Sequence, residues 1–295
     1  MSENMVSLRH KITNADDLGG VVRSMKTMAS SNISQYENAV AALDDYYRTV
    51  QLGLTACLLK QPNNTPDNKV PCLLTGVIVF GSDQGLVGQF NDIMSEFVVK
   101  KLKTIHGEKI LFTVGERVQA RLIQAKLNVK SNFSLPNTID TVSVLVGQIL
   151  MQIDALREQG ELGHVYVCHH HPQKGALYQP VCEQLLPIHQ SWQTNLANVH
   201  WPTNNLPQTL PNHQYTFRCL IREYLFVSLY RACAESLASE NSSRLAAMQR
   251  AQTNIEELKE KLSQTYNRLR QSSIDEELFD IVASFLALKK SNPNG

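Results

Sequence analysis

The stretch most capable of chemistry is a glycine-rich segment at residues 81–91 (GSDQGLVGQFN). Gly81, Gly85 and Gly88 follow an apolar segment and precede a helical pattern, which is the context of a phosphate-binding turn. The spacing is not G-x-G-x-x-G, however, and the Lys-Ser/Thr pair of a Walker motif is missing. We therefore predict a tight strand-to-helix turn here and no cofactor-binding residues.

A run of three histidines, His169, His170 and His171, is the other candidate, because imidazole nitrogens bind metal ions. Adjacent residues on an extended chain point to opposite faces, whereas metal ligands usually come in spaced pairs. The six cysteines include no C-x-x-C pair, so we expect buried, reduced side chains. Since no nucleophile–base pair stands out, the sequence predicts no catalytic residue and no metal site.

Composition narrows the class of protein. Apolar residues make up 43% of the chain and charged residues 19%, as in ordinary folded proteins. The net charge of +1 argues against a nucleic-acid-binding or membrane-surface protein, which would carry a marked basic excess. No apolar run reaches the roughly 18 residues of a membrane span, so we expect no direct membrane insertion. The N-terminal residues lack the apolar core of a signal peptide, which predicts a cytoplasmic location.

Two long helical segments must position whatever site the chain has. The first, residues 13–59, begins with a Thr13–Asp16 capping pattern and carries an apolar stripe from Leu18 at steps of three and four. The second, residues 212–292, contains no Gly and no Pro. Such a run predicts one continuous helix roughly 120 Å long. Sustained stripes of this kind indicate an antiparallel coiled coil between the N- and C-terminal helices.

The segment between the helices alternates strands with helices. Strands are predicted at residues 70–80, 109–114, 164–168 and 176–186, and helices at 93–103, 116–125 and 138–159. This alternation is typical of an inserted, Rossmann-like α/β domain with a largely parallel sheet. Loops are predicted at 61–71 and 190–211. The predicted organisation is an N-terminal coiled-coil helix (1–60), an α/β domain (61–208) and a long C-terminal coiled-coil helix (209–295).

The C-terminal helix is longer than its partner, so one of its ends must protrude or find another partner. Its last turns, residues 274–288 (IDEELFDIVASFLAL), are strongly apolar. Burying each large apolar side chain stabilises a protein by about 1.5–3 kcal/mol, and a bare apolar patch promotes aggregation. We therefore expect this end to lie inside another protein.

Five segments, in order, resemble the gamma subunit, or central stalk, of F-type ATP synthases over nearly the whole chain. They are residues 24–29 (SMKTMA, similar to AMKMVA), 81–91 (similar to GSDRGLCGGLN), 183–187 (EQLLP), 237–248 (LASENSSRLAAM, similar to LASEQAARMVAM) and 266–283 (YNRLRQSSIDEELFDIVA, similar to YNKARQASITQELLEIVA). The chain departs from the family pattern at Gln84, Val87, Gln89, Asp275 and the Ser284–Phe285 pair. These departures suit a divergent member, such as one of the alternate N-ATPase branch.

The resemblance implies a non-catalytic rotor that couples ion flow through a ring of c subunits to ATP synthesis or hydrolysis. The implied partners are a hexamer of alpha and beta subunits, the epsilon subunit and the c-ring, on the cytoplasmic side of the inner membrane. By residue match, Met25 and Lys26 would meet the beta subunits. Arg270 and Gln271 would contact a loop of the alpha–beta ring, with Glu277 as a neighbouring polar contact.

Two other interpretations stay open at this stage. A coiled-coil adaptor with an α/β binding module would self-associate into a rod without needing alpha and beta subunits. A nucleotide-using enzyme built on the α/β domain would bind nucleotide by itself, although the missing phosphate-binding pattern disfavours it.

Overall fold

A computed structural model describes residues 5–59, 74–105, 107–136, 138–173, 177–187 and 212–291. The chain divides into two compact units, one of residues 1–28 with 247–295 and one of residues 29–246. The predicted domain boundaries, after residues 60 and 208, lie outside the described residues and stay a prediction. The same is true of the predicted loop at 61–71 and of the connector at 190–211.

Two long helices lie on either side of the sheet-containing segment in sequence, as predicted. Helix α1 spans Met5–Leu59, and helix α5 spans His213–Ser291 with 79 residues. The predicted start of α1 at Thr13 is wrong, because the helix begins two turns earlier. The Thr13 hydroxyl donates a hydrogen bond of 3.1 Å to the Arg9 carbonyl oxygen, which is an interaction inside the helix and not a cap.

In the first unit, α1 and α5 pair in antiparallel fashion. Lys26 Nζ donates to Gln252 Oε1 over 3.4 Å, and Lys259 Nζ lies 2.5 Å from Asp16 Oδ1. The predicted stripe is wrong at Leu18, which is exposed. Helix contact is made at the next residue, Gly19, where an added Cβ would lie 3.8 Å from the Ile255 side chain. Successive helix residues are about 100° apart, so Leu18 turns outward.

The second unit contains a five-stranded sheet of order β3-β2-β1-β4-β5. Its strands are β1 (Leu74–Phe80), β2 (Lys109–Val114), β3 (Val129–Phe133), β4 (Leu162–Gln173) and β5 (Leu177–Leu186). The β1–β2, β2–β3 and β1–β4 pairs are parallel, and β5 joins β4 in antiparallel fashion. The predicted α/β class is confirmed. The sequence prediction missed β3 altogether and ended β4 five residues too early.

Helices cover both faces of the sheet, because alternate residues of β1 point in opposite directions. Val77 and Val79 pack with α2 (Phe90–Thr104) and α3 (Glu116–Gln124). Ile78 and Phe80 belong to a larger core with α4 (Ile139–Glu158) and with the parts of α1 and α5 that lie in this unit. These parts of the two long helices therefore contribute to the core of the α/β unit.

Among the described helices, α4 alone is long and apolar enough to cross a membrane by length and composition. Its residues Val142, Val146 and Ile149 are fully buried in the core with the sheet. Packing against the sheet therefore accounts for the apolar residues on this side of α4.

Candidate functional site

The sheet has a switch point between β1 and β4, where the chain order reverses. In open α/β sheets, ligands usually bind in the crevice at the carboxyl ends of such strands. Here the crevice is filled by the protein itself. Phe90, His170 and Tyr178 form an aromatic cluster, with ring centroids 4.2 to 5.4 Å apart.

Serines of α5 complete the filling of this crevice. Ser239 Oγ donates to the His170 carbonyl oxygen over 3.2 Å, and Ser243 Oγ donates to the Val87 carbonyl oxygen over 2.6 Å. Both serines are buried. The long helix thus occupies the place where a nucleotide would lie in a related fold.

The glycine-rich turn after β1 is also occupied from within. Asn91 Oδ1 accepts from the backbone N–H of Ser82 (3.0 Å), and Asn91 Nδ2 donates to Ser82 Oγ (2.8 Å). The Asp83 carboxylate accepts from the N–H of Glu116 (2.9 Å) at the start of α3 and from the N–H of Leu135 (2.8 Å). A carboxylate already bound to these donors would repel a phosphate, so these hydrogen bonds hold the turn between β1, α2 and α3.

The predicted rotor-contact residues lie on the two-helix unit in two separate groups. Met25 and Lys26 are half-buried on α1, whereas Arg270, Gln271 and Glu277 are exposed on α5. Lys26 of α1 lies beside Gln252 of α5. At about 1.5 Å per residue, Gln252 is roughly 27 Å from Arg270 along α5. The fold therefore does not bring the two groups together.

The last described turns of α5 carry a large exposed apolar surface. Six side chains there are 46 to 70% exposed: Ile274, Leu278, Phe279, Ile281, Val282 and Leu286. At about 100° per residue they fall within an arc of roughly 160°, so they share one side of the helix. We call these six residues the apolar face of α5. Gln271 points to the same side, and Arg270 and Glu277 lie near its border.

A buried polar cluster, which the sequence pattern did not predict, joins β4 to α5. His169 Nε2 lies 2.9 Å and His171 Nδ1 2.7 Å from the same oxygen, Oε2 of Glu235. Arg231 Nε donates to the other oxygen, Oε1, over 2.8 Å. His169 and His171 share a strand face because they are two residues apart. The i, i+2 spacing of the two histidines is the sequence signal for this cluster. It does not identify the third member, because Glu235 lies 66 residues from His169 in sequence.

The environment of Glu235 keeps its carboxylate charged. Burial alone would raise its pKa, but hydrogen bonds from His169, Arg231 and His171 outweigh burial and lower the pKa to about 2. His170 points to the opposite face, where burial lowers its pKa to about 4 and Phe90 accepts its Nε2 hydrogen over 2.9 Å. His170 is therefore a neutral core residue and not part of the cluster.

The cysteines only partly match the prediction of buried thiols. Cys57, Cys168 and Cys233 are buried, but Cys182 is half-buried and Cys219 is exposed; Cys72 lies outside the described residues. Cys168 and Cys182 are direct neighbours across β4 and β5, with sulfur atoms 2.7 Å apart. Their hydrogen bond raises the pKa of Cys168 and lowers the pKa of Cys182.

Comparison with known proteins agrees with this architecture. Residues 4–288 match a family model described as ATP synthase. An ATP synthase gamma chain of Paraburkholderia phymatum is 26% identical over 303 residues, which cover 96% of this chain and 99% of the relative. One of Actinobacillus pleuropneumoniae serotype 3 is 27% identical over 292 residues, which cover 95% and 98%.

Two solved structures have a similar fold. One comes from the Euglena gracilis mitochondrial ATP synthase, OSCP/F1/c-ring, in rotational state 3. It has a TM-score of 0.66 at 16% identity, covering 99% of this chain and 96% of that one. The other comes from the central stalk/c-ring of the Tetrahymena thermophila mitochondrial ATP synthase. Its TM-score is 0.56 at 20% identity, covering 78% and 99%.

Proposed function

The chain belongs to the ATP synthase gamma family, and we propose that its two-helix unit turns inside a hexamer of alpha and beta subunits as the central rotor shaft. The gamma subunit is a non-catalytic stalk subunit, and catalysis takes place in the beta subunits. The chain would couple the rotation of a ring of c subunits to ATP synthesis or hydrolysis.

The observation that carries this proposal is the apolar face of α5. Its side chains are between 46 and 70% exposed, although burying each would stabilise the protein by about 1.5–3 kcal/mol. Because α1 and α5 run antiparallel, Met5 at the start of α1 lies roughly beside Arg270 of α5. Among the described residues, the part of α5 that follows Arg270 therefore has no helix packed against it. A sheath of alpha and beta subunits would supply the missing contacts.

Rotor–stator contacts are proposed for the residues matched to the family. Arg270, Gln271 and Glu277 are exposed at the edge of or beside the apolar face, which suits hydrogen bonding to a surrounding loop. Met25 and Lys26 would contact the beta subunits at a different level of the shaft. With contacts at two positions along its axis, the shaft could favour different conformations of the surrounding subunits at each position.

The mechanism depends on unequal contact energies. A shaft changes the state of a nucleotide site only if its contact energy differs between the conformations of that site. The apolar face covers one side of α5, so each beta subunit in turn would meet apolar and polar sides of the helix. This difference would move each site through binding, synthesis and release.

The α/β unit is proposed to contact the epsilon subunit and the c-ring. The family is that of the peripheral portion of ATP synthase, and we place it on the cytoplasmic side of the membrane. Membership of the N-ATPase branch stays a prediction. The filled crevice at the switch point supports a structural role for the sheet, in place of nucleotide binding.

The experiment tests Arg270→Ala combined with Gln271→Ala in a complex reconstituted with alpha and beta subunits. We expect ATP-driven rotation and coupled ion pumping to fall severalfold, while the subunit remains folded by circular dichroism. Arg218→Ala combined with Gln214→Ala is the matched control, because both residues are exposed on the same helix outside the two-helix unit. Unchanged pumping in the Arg270/Gln271 variant would contradict the proposed contacts.

A further inference from the structure

We propose that His169, His171 and Glu235 form a binding site for a divalent transition-metal ion of the zinc class. Each residue offers one ligand atom, and the three atoms lie within 4.8 Å of one another. The site would fasten β4 to α5 within the α/β unit. It is independent of the rotor contacts, which lie on the other unit.

The distances suit a small metal ion after a minor outward shift. Zinc binds imidazole nitrogen and carboxylate oxygen at about 2.0–2.2 Å, so tetrahedral ligand atoms lie on the order of 3.4 Å apart. Oε2 of Glu235 is now 2.9 Å from His169 Nε2 and 2.7 Å from His171 Nδ1. Side-chain shifts of roughly 0.5 to 0.7 Å would separate these atoms enough for a metal ion. Each ring would then bind the ion through its deprotonated nitrogen, with its proton moved to the other ring nitrogen or released to solvent.

The carboxylate is already oriented for one metal bond. The Glu235 side chain is 4% exposed, and its second oxygen is held by Arg231 Nε at 2.8 Å. Metal-binding carboxylates usually carry such an outer hydrogen bond, which fixes the free oxygen toward the ion. The Arg231 charge is shared with Asp44, whose Oδ1 lies 3.6 Å from Nη1. The two carboxylates, Glu235 and Asp44, outnumber the single positive charge of Arg231, so the net local charge favours binding of a cation.

An ion can reach this site from solvent. The His171 side chain is 42% exposed. It borders a cavity of about 230 Å³ that Glu183 and Tyr224 also line. The cavity can supply a water molecule as the fourth ligand, the arrangement of zinc sites with three protein ligands.

The donor set also limits which metal binds. Two imidazoles and one carboxylate suit zinc, cobalt or nickel, whereas magnesium and calcium prefer oxygen ligands alone. The thiols of Cys168 and Cys182 are a competing zinc-binding possibility. Cys168 lies on the opposite strand face from His169, because adjacent strand residues alternate.

The test uses the full chain, freed of metal with a chelator and titrated with zinc against a chromophoric competitor. We expect one zinc per chain. His171→Gln and Glu235→Gln should each weaken binding by more than about tenfold, since even outer-shell changes cost 10–100-fold. The cobalt-loaded chain should show the intense visible absorption of a four-coordinate ion, and both variants should lose it.

Two control variants separate this site from other zinc binding. His164→Gln removes an exposed histidine of the same strand, and Cys182→Ser removes the neighbouring thiol. Both should bind zinc like the parent chain. His171→Gln should keep the parent circular dichroism because His171 is half-exposed. Parent affinity in His171→Gln, loss of binding in Cys182→Ser, or no stoichiometric zinc in the parent chain would overturn the proposal.

Discussion

Gly81 packs directly against Val118: a Cβ atom added at Gly81 would lie 2.3 Å from Cβ of Val118. This contact joins the end of β1 to α3. The Gly81 N–H donates to the Val114 carbonyl oxygen over 2.8 Å, so the backbone cannot retreat without losing a bond between β1 and β2. Packing therefore requires the first glycine of this turn.

Gly81→Ala should destabilise the α/β unit by about 1–3 kcal/mol, the usual effect of overpacking a rigid core. Gly85→Ala is the matched control, because its added Cβ would meet only the flexible end of Arg117 at 3.9 Å. Urea unfolding followed by circular dichroism measures both. Equal midpoints for the two variants would show that Val118 moves aside at little cost.

Asp83 acts as a remote cap for α3, since Gly115 at the N-cap position has no side chain to offer. Asp83→Asn keeps one acceptor oxygen but presents an N–H₂ group to the other backbone N–H. We expect a loss of about 1–2 kcal/mol in unfolding free energy. Asp92→Asn breaks only an exposed ion pair with Arg121 and should cost less than about 1 kcal/mol. A smaller loss for Asp83→Asn than for Asp92→Asn would refute this role.

Glu240 gives the α/β unit a specific pH dependence. Glu240 is 5% exposed. Burial raises its pKa to about 6, although the positive charge of Arg244, at 2.5 Å, lowers the pKa. Asp83 adds a repulsive charge, and the charge of Glu240 in turn contributes to the raised pKa of Tyr36 on α1. The folded state thus binds this proton more tightly than the unfolded chain does.

The sign follows from linkage. Between about pH 4.5 and 6 the folded state holds more protons at this site, so stability falls as pH rises through that window. Relative to Glu240→Gln, the parent chain should lose about 1.5 kcal/mol of unfolding free energy between pH 4.5 and pH 7. Urea unfolding at several pH values measures the difference. The exposed Glu257→Gln should change stability by less than about 0.5 kcal/mol at either pH. A pH-independent difference for Glu240→Gln would contradict the burial argument.

The sequence predicted the elements whose pattern is local. Strand β2, Lys109–Val114, has the predicted bounds because an apolar run lies between polar residues. Strand β3, Val129–Phe133, was missed because it is an edge strand with mostly half-buried polar residues, which leave no apolar run. Its pairing with β2 depends on the tertiary fold.

The proposed rotor contacts could be predicted only from the family resemblance. Arg270 and Gln271 have no local signal beyond being polar residues of a helix. The His169–His171–Glu235 cluster depends on how β4 packs against α5, which neither segment specifies by itself. Thr13 shows the opposite error, because a capping pattern was assigned where the hydroxyl bonds within the helix.

The apolar face of α5 allows a test that separates binding from folding. Ile281 and Met151 are both 69% exposed, but Met151 lies on α4 in the α/β unit. Ile281→Glu should leave the unfolding free energy within about 0.5 kcal/mol, because an exposed position has little to lose. If alpha and beta subunits bury Ile281, the variant should bind the hexamer at least about tenfold more weakly, since the burial is worth about 1.5–3 kcal/mol. The isolated variant should also aggregate less.

Met151→Glu is the control and should assemble like the parent chain. Equal hexamer binding by both variants, measured by surface plasmon resonance, would mean that this side of α5 does not face the ring.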